Sequence, residues 1–345
     1  MTHLLVLAGG VVLLLLVFYD ALAMTLHVGS GGGPVTGRAA AWVWRGLVRL
    51  HHRDRDSTVL SGAGGALILG VVLCWVVGLW TAWTLVLLGS DGGVVSARTR
   101  EPVGVVDTAY FAGITLLTLG TGDVVAASPW WRLVTSVASF TGLSLITLAI
   151  TYLLSVVSAV VARRSLAVRI NDLGESAEEI VARGWTGDAF SSAFVQQLVA
   201  LTGEVATSAE QHVAYPTLHY FHARQRDTSA PVAIAQLDDA LLLLSAGVAP
   251  SARPDDSGVR PLQGAISRYL TTVSATSRLR RRPDVTAPPP PRLDLLAARG
   301  IPVVPDDGFA SSVESQAERR GRLLQLVHAD GWSWVPKPAP PGDVR

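Results

Sequence analysis

The sequence predicts an all-α membrane protein: three transmembrane helices, a half-length re-entrant helix between the second and third, and a mainly helical cytosolic domain behind them. Three observations predict this class. Apolar runs long enough to span a bilayer fill the first half of the chain and hold one charged residue, Asp20. Charged residues make up 16% of the 345 residues, against about 25% in an average soluble protein. Beyond Arg163 the composition turns soluble, and apolar residues fall at helical spacing. A net charge of +1 gives no basic field for nucleic acid. One cysteine, Cys74, excludes a disulfide framework and any multi-cysteine metal site.

The first run, Leu4–Leu26, lacks the basic leader of a signal peptide and exceeds the usual apolar length of about 7–15 residues. Asp20 lies toward its inner end. A carboxylate inside a span is a functional candidate by default, and an ion pair with Arg38, Arg45 or Arg163 is the expected arrangement. Arg38–Arg53 then puts Val43, Trp44, Leu47, Val48 and Leu50 on one side of a helix, which suits the membrane interface. The second and third runs, Ser61–Ser90 and Leu133–Ala162, hold no charge. Arginines crowd the first loop and the segment from Arg163, but are few and balanced by acids over 91–132. The positive-inside rule places the N-terminus and 91–132 outside, and 27–60 and the C-terminus inside. The bias toward Arg, Ala, Gly and Val points to a bacterial gene, hence to the bacterial inner membrane.

The stretch Asp107–Asp123 reads DTAYFAGITLLTLGTGD. Asp107 is the expected N-cap. Thr108–Leu117 makes only about 15 Å of helix, half of a ~30 Å hydrocarbon core. Glycines at alternate positions follow, in Thr118-Leu119-Gly120-Thr121-Gly122-Asp123. Such residues permit positive φ, and non-helical backbone at membrane depth must be buried in protein or line water. In the third run Thr141, Ser144, Thr147, Thr151, Ser155 and Ser158 form one polar stripe at helical spacing. It fits either a water-filled cavity or helix–helix packing. Gly142 on the same helix is a hinge candidate.

A span, a short helix, a T-x-G-x-G-D loop and a second span resemble the pore module of the potassium channel superfamily, over Ser61–Ala162. The resemblance implies a homotetramer, each chain giving one quarter of a ring. It implies that the carbonyls of Thr118, Leu119, Gly120 and Thr121, with the Thr118 hydroxyl, replace the hydration shell of a permeant K+. Gly122 completes the loop, and Asp123 stands at the outer mouth. Ser144, Thr147, Thr151 and Ser155 would line the cavity. Leu119 replaces the family's usual valine or isoleucine, and Thr121 its usual aromatic. Threonine is too short to brace the filter as that ring does, so Na+ stands beside K+ as the permeant ion.

Other chemistry is weighed against this. A non-conducting membrane-anchored sensor or scaffold with a degenerate pore fold is the main alternative. Tyr19-Asp20 and Gly120-Thr121-Gly122-Asp123 resemble the aspartate motifs of intramembrane aspartyl proteases, but Asp20 and Asp123 fall near opposite faces, and three spans are too few. No enzyme activity and no cofactor is expected. His212, His219 and His222 read as interhelix residues rather than metal ligands, and Asp172, Glu175, Glu178 and Glu179 as a solvated helix face. No metal is expected beyond the permeant cation.

The domains expected are a first helix (1–28), a cytoplasmic or interfacial linker (29–60), the pore module (61–162), a helical cytosolic domain (163–248) and a proline-rich region (249–345). Ala249–Gly258 and Arg282–Pro291 read as linkers, and Leu262–Arg280 and Ser311–His328 as short helices. Neither a glycine-rich dinucleotide turn nor an alternating strand series is present. The sequence names no cytosolic gating ligand. The expected partners are further copies of the chain and the bilayer.

Overall fold

Helix α1 (Thr2–Leu26) lies antiparallel against α2 (Val59–Leu88). Small residues make the approach close. A Cβ at Gly10 would come within 2.7 Å of the Val86 nitrogen, and one at Gly78 within 2.9 Å of Val17. Small residues at such seams let membrane helices gain dispersion contact where no hydrophobic effect drives them together. The computed structural model describes residues 1–26, 33, 35–39, 42–43, 59–90, 92–276 and 287–335. Most of the amphipathic stretch Arg38–Arg53 lies outside these.

Three tryptophans of α2 each reach a different neighbour. Trp75 donates its indole N–H to Asp20 of α1 at 2.9 Å. Trp80 donates to the Ala109 carbonyl of the half-length helix α3 (Val105–Leu116) at 2.7 Å. Trp83 donates to the Thr141 hydroxyl of α4 (Pro129–Leu173) at 2.9 Å.

Two departures from the expected fold surround α3. The protein is not purely α-helical: β1 (Val94–Ser96) and β2 (Val124–Ala126) form an antiparallel ribbon, with Val94 opposite Ala126 and Ser96 opposite Val124. Each strand begins with a Val-Val pair just past a turn, too short to set up a visible alternation. The helix also starts earlier than expected. Gly104 is its N-cap and Asp107 stands in the first turn, where its charge faces the positive helix end without capping it.

Helix α4 runs 45 residues without a break. No Gly or Pro occurs from Leu143 to Leu173, and the helix ends at Gly174. It therefore passes through the expected boundary at 162/163. The chain divides into two compact units, Met1–Val157 and Ser158–Arg345.

The second unit is helical: the last turns of α4, then α5 (Ala177–Gly184), α6 (Ser192–Ala214), α7 (Ala230–Leu242), α8 (Asp256–Thr276), α9 (Leu293–Ala297), α10 (Asp306–Ser315) and α11 (Ala317–Ala329). One core holds Leu166, Ile180, Leu198, Leu237, Ile266, Leu296 and Leu323. Residues 163–248 and 249–345 thus share a core, and the expected division after Val248 falls inside it. Val248 pairs with Val303, so Ala249–Gly258 is tied into the fold rather than a linker. Helix α8 begins at Asp256, before the expected Leu262, and tolerates Pro261. Among the described residues four helices are long and apolar enough to cross a membrane, among them Ala230–Gly247. That helix is 78% buried within its unit, whereas the windows of α1, α2 and α4 are 22%, 39% and 28% buried. Its acids are also paired: Asp238 with Arg319, and Asp239 with Arg320. It is the central helix of a helical body, and α1, α2 and α4 are the apolar helices that the sequence marks as candidate spans.

Candidate functional site

The loop following α3 has unusual backbone. The φ angles of Thr118, Gly120 and Gly122 are +57°, +59° and +81°, while Leu119 and Thr121 are not in the left-handed region. In an ordinary strand successive carbonyls alternate sides. Positive φ at every second residue breaks that strand pattern. Glycine takes the left-handed region without cost. For β-branched Thr118 it is an outlier costing about 1–3 kcal/mol, a strain that concentrates at functional sites. Two amides anchor the loop's start: Thr118 N donates to Thr115 O at 3.1 Å, and Leu119 N to Ile114 O at 2.8 Å. Residues 117–123 are exposed in the single chain.

Thr121 is braced by a residue the sequence reading passed over. The Tyr110 hydroxyl of α3 lies 3.1 Å from Thr121 Oγ1, which donates to Asp123 Oδ1 at 2.6 Å. The aromatic ring stands on the helix and the short hydroxyl on the loop. The Thr121 hydroxyl holds the Asp123 carboxyl below its usual range. An aromatic with a polar tip on an otherwise apolar half-helix was the available signal.

Behind the loop is a cleft of about 620 Å³, lined by Thr118, Gly120, Gly122 and the first turns of α4, including Arg132 and Ser136. Along α4, Thr147, Thr151 and Ser155 donate to Leu143, Thr147 and Thr151 carbonyls of their own helix at 2.9 Å. Thr147 and Thr151 are exposed, Ser144 and Ser155 partly so. Thr141 leaves the stripe, since its hydroxyl receives Trp83. Gly142, the hinge candidate, sits at a close backbone contact. A Cβ there would overlap the Leu116 carbonyl oxygen and sit 2.9 Å from Leu116 Cα. It lets α4 back onto the end of α3.

Asp20 has no arginine partner among the described residues. Its Oδ1 accepts the amides of Val35 at 2.7 Å and Thr36 at 3.2 Å, and its Oδ2 accepts the Thr36 hydroxyl and the Trp75 indole. Only 2% of the residue is exposed. Arg163 instead meets Asp330, and Arg45 lies outside the described residues. Among the described residues Asp20 and Asp123 share no partner: Asp20 meets Val35, Thr36 and Trp75, and Asp123 meets Thr121. His212, His219 and His222 do converge. Among the described residues, though, no group of three or more His, Cys, Asp or Glu could hold a metal ion.

Residues 68–159 match the family model described as ion channel. Over 326 residues the chain is 34% identical to YdjJ, an uncharacterized membrane protein of Bacillus subtilis strain 168, with 94% of each chain covered. The chain belongs to this membrane-protein family. It carries the ion-channel module, of the potassium-channel type with two spans and a pore loop, at the residues that hold α3 and its loop. No solved structure matches it.

Proposed function

We propose that this ion-channel family member is a homotetrameric cation channel that passes K+ through the backbone carbonyls of Thr118–Gly122. The observation that carries the proposal is the alternating sign of φ along that loop. It stands at the end of a helix too short to span. Around a fourfold axis such loops supply stacked carbonyl rings in place of water. The C-terminal end of α3 adds partial negative charge toward the cavity, and Asp123 adds a carboxylate at the entrance. The exposed apolar Leu117 and Leu119 suit burial against further copies. The Tyr110–Thr121–Asp123 chain supports K+ over Na+, because it holds the loop that a lone threonine would leave loose. We place the N-terminus outside and the second unit in the cytoplasm of a bacterial inner membrane, from the arginine distribution.

The test is flux from proteoliposomes under K+, Na+ and Cl− gradients, with native mass measurement in mild detergent. K+ flux exceeding Na+ flux from a four-chain particle is expected. A folded tetramer that passes no ion supports the sensor or scaffold alternative. A stable monomer overturns the ring.

A further inference from the structure

Six polar residues from five parts of the second unit converge on one small cavity: Arg163 of α4, His212 of α6, His219 and His222 of the turn beyond it, Tyr269 of α8, and Asp330 after α11. The cavity measures about 20 Å³, room for one water-sized particle. Arg163 donates to the carbonyls of Leu218 at 3.1 Å and Phe221 at 3.4 Å, and its other terminal nitrogen lies 3.5 Å from Asp330. His222 Nδ1 lies 3.2 Å from the same Asp330 oxygen, and Ser229 donates to the second. Helix α7 adds only Pro231. His212 is 2% exposed, and neither of its ring nitrogens has a hydrogen-bond partner among the described residues; nor has the Tyr269 hydroxyl, on a fully buried ring. Buried polar atoms without partners are rare, and each calls for an explanation.

We propose that this cluster is a proton-binding site, and that protons taken up by His212 and His219 release Arg163 from the turn at Leu218–Phe221. The incoming proton goes to a ring nitrogen and creates an imidazolium beside the Arg163 guanidinium. Asp330 is one carboxylate against these charges, and it already serves His222 and Ser229. The arrangement therefore holds only while the rings are neutral. Burial pushes His212 down to about 3 and His219 down to about 4. Once the turn lifts, each ring takes up a proton near its ordinary value of about 6.5. The neutral, closed form is thus favoured above pH 6.5. Below it, each pH unit favours the open form by roughly tenfold per histidine. Arg163 stands on the helix that carries Thr147, Thr151 and Ser155, so its release is positioned to alter conduction. That last consequence rests on the channel reading; the proton site does not.

The experiment is hydrogen exchange of the full chain in nanodiscs at pH 7.5 and 5.5, corrected for intrinsic rates, beside K+ flux with the cytosolic face stepped over the same range. In the wild type, protection across 212–222 should fall at least tenfold at pH 5.5, while the α7 core around Ile234–Leu241 keeps its protection. His212→Leu removes a ring that makes no hydrogen bond, and His219→Phe keeps a ring against Tyr220. Each variant, checked for wild-type melting at pH 7.5, should lose much of the response. Equal wild-type protection at both pH values overturns the site, as does a response undiminished in both variants, or one that sweeps through α7 as general unfolding. The local response without flux at any pH upholds the site and overturns the channel reading. Flux that ignores pH while the local response persists overturns proton control of conduction.

Discussion

Replacing Asp20 by Asn tests what the buried carboxylate does between α1 and α2. Its oxygens accept four donors: the amides of Val35 and Thr36, the Thr36 hydroxyl and the Trp75 indole. The asparagine oxygen can keep the two amides. Its NH2 group must then face the Thr36 hydroxyl, which can rotate to accept, and the Trp75 N–H, which cannot. The Trp75 N–H and the asparagine amide N–H that faces it are both left unpaired, at about 1–3 kcal/mol for each buried donor, and the surviving bonds lose charge assistance. The total is about 3–5 kcal/mol. Trp75→Phe removes one donor and leaves Asp20 three, at about 1–2 kcal/mol beyond its packing loss. In the double variant the NH2 group no longer meets an opposing N–H, so the two losses should fall short of their sum by about 1–2 kcal/mol. Reversible unfolding in mixed micelles, followed by far-UV circular dichroism, measures all four corners. Asp20→Asn within about 0.5 kcal/mol of wild type, or strictly additive losses, would refute the clamp.

Three further outcomes follow from the pore module. Tyr110→Phe removes the hydroxyl bonded to Thr121 while keeping the ring; K+ preference over Na+ in liposome flux should fall several-fold with the melting temperature little changed. Gly142→Ala drives a methyl into the Leu116 carbonyl, at about 1–3 kcal/mol of overpacking; thermal unfolding should register the loss, and flux should fall with it. Thr151→Phe should block flux with the oligomer intact by narrowing and dewetting the cavity, whereas Leu153→Phe should chiefly disturb packing. Normal flux through Thr151→Phe would put the conduction path on another face.

The long apolar helices and the half-length helix were legible because the length of an apolar run bounds the helix it can form. The loop was legible because its special backbone needs glycine, and Gly120 and Gly122 stand at alternate positions. What sequence alone could not give was partnership. A carboxylate in an apolar run calls for a cation, yet the charge of Asp20 is met by neutral donors, two of them backbone amides. Thr121 read as a lost brace because Tyr110 lies eleven residues earlier, and only folding sets its hydroxyl against the loop. The boundaries followed composition, but helices follow the backbone. The soluble character beginning at Arg163 did not stop α4, which ran on until Gly174. Pro250, just after Val248, marked a turn on a shared core rather than a linker, and Pro261 stands inside α8.

The three indoles of α2 also make the first unit self-reporting. Indole emission shifts with the polarity and hydrogen bonding of its N–H. Trp75 senses the α1 joint beside a carboxylate, Trp80 the α3 joint at a backbone carbonyl, and Trp83 the α4 joint at a hydroxyl. A set of variants each retaining one of them, with the remaining tryptophans replaced by phenylalanine, would hold a separate optical gauge at each contact. Whichever gauge moves when conduction is switched identifies the joint that carries the motion, with no foreign label in the membrane.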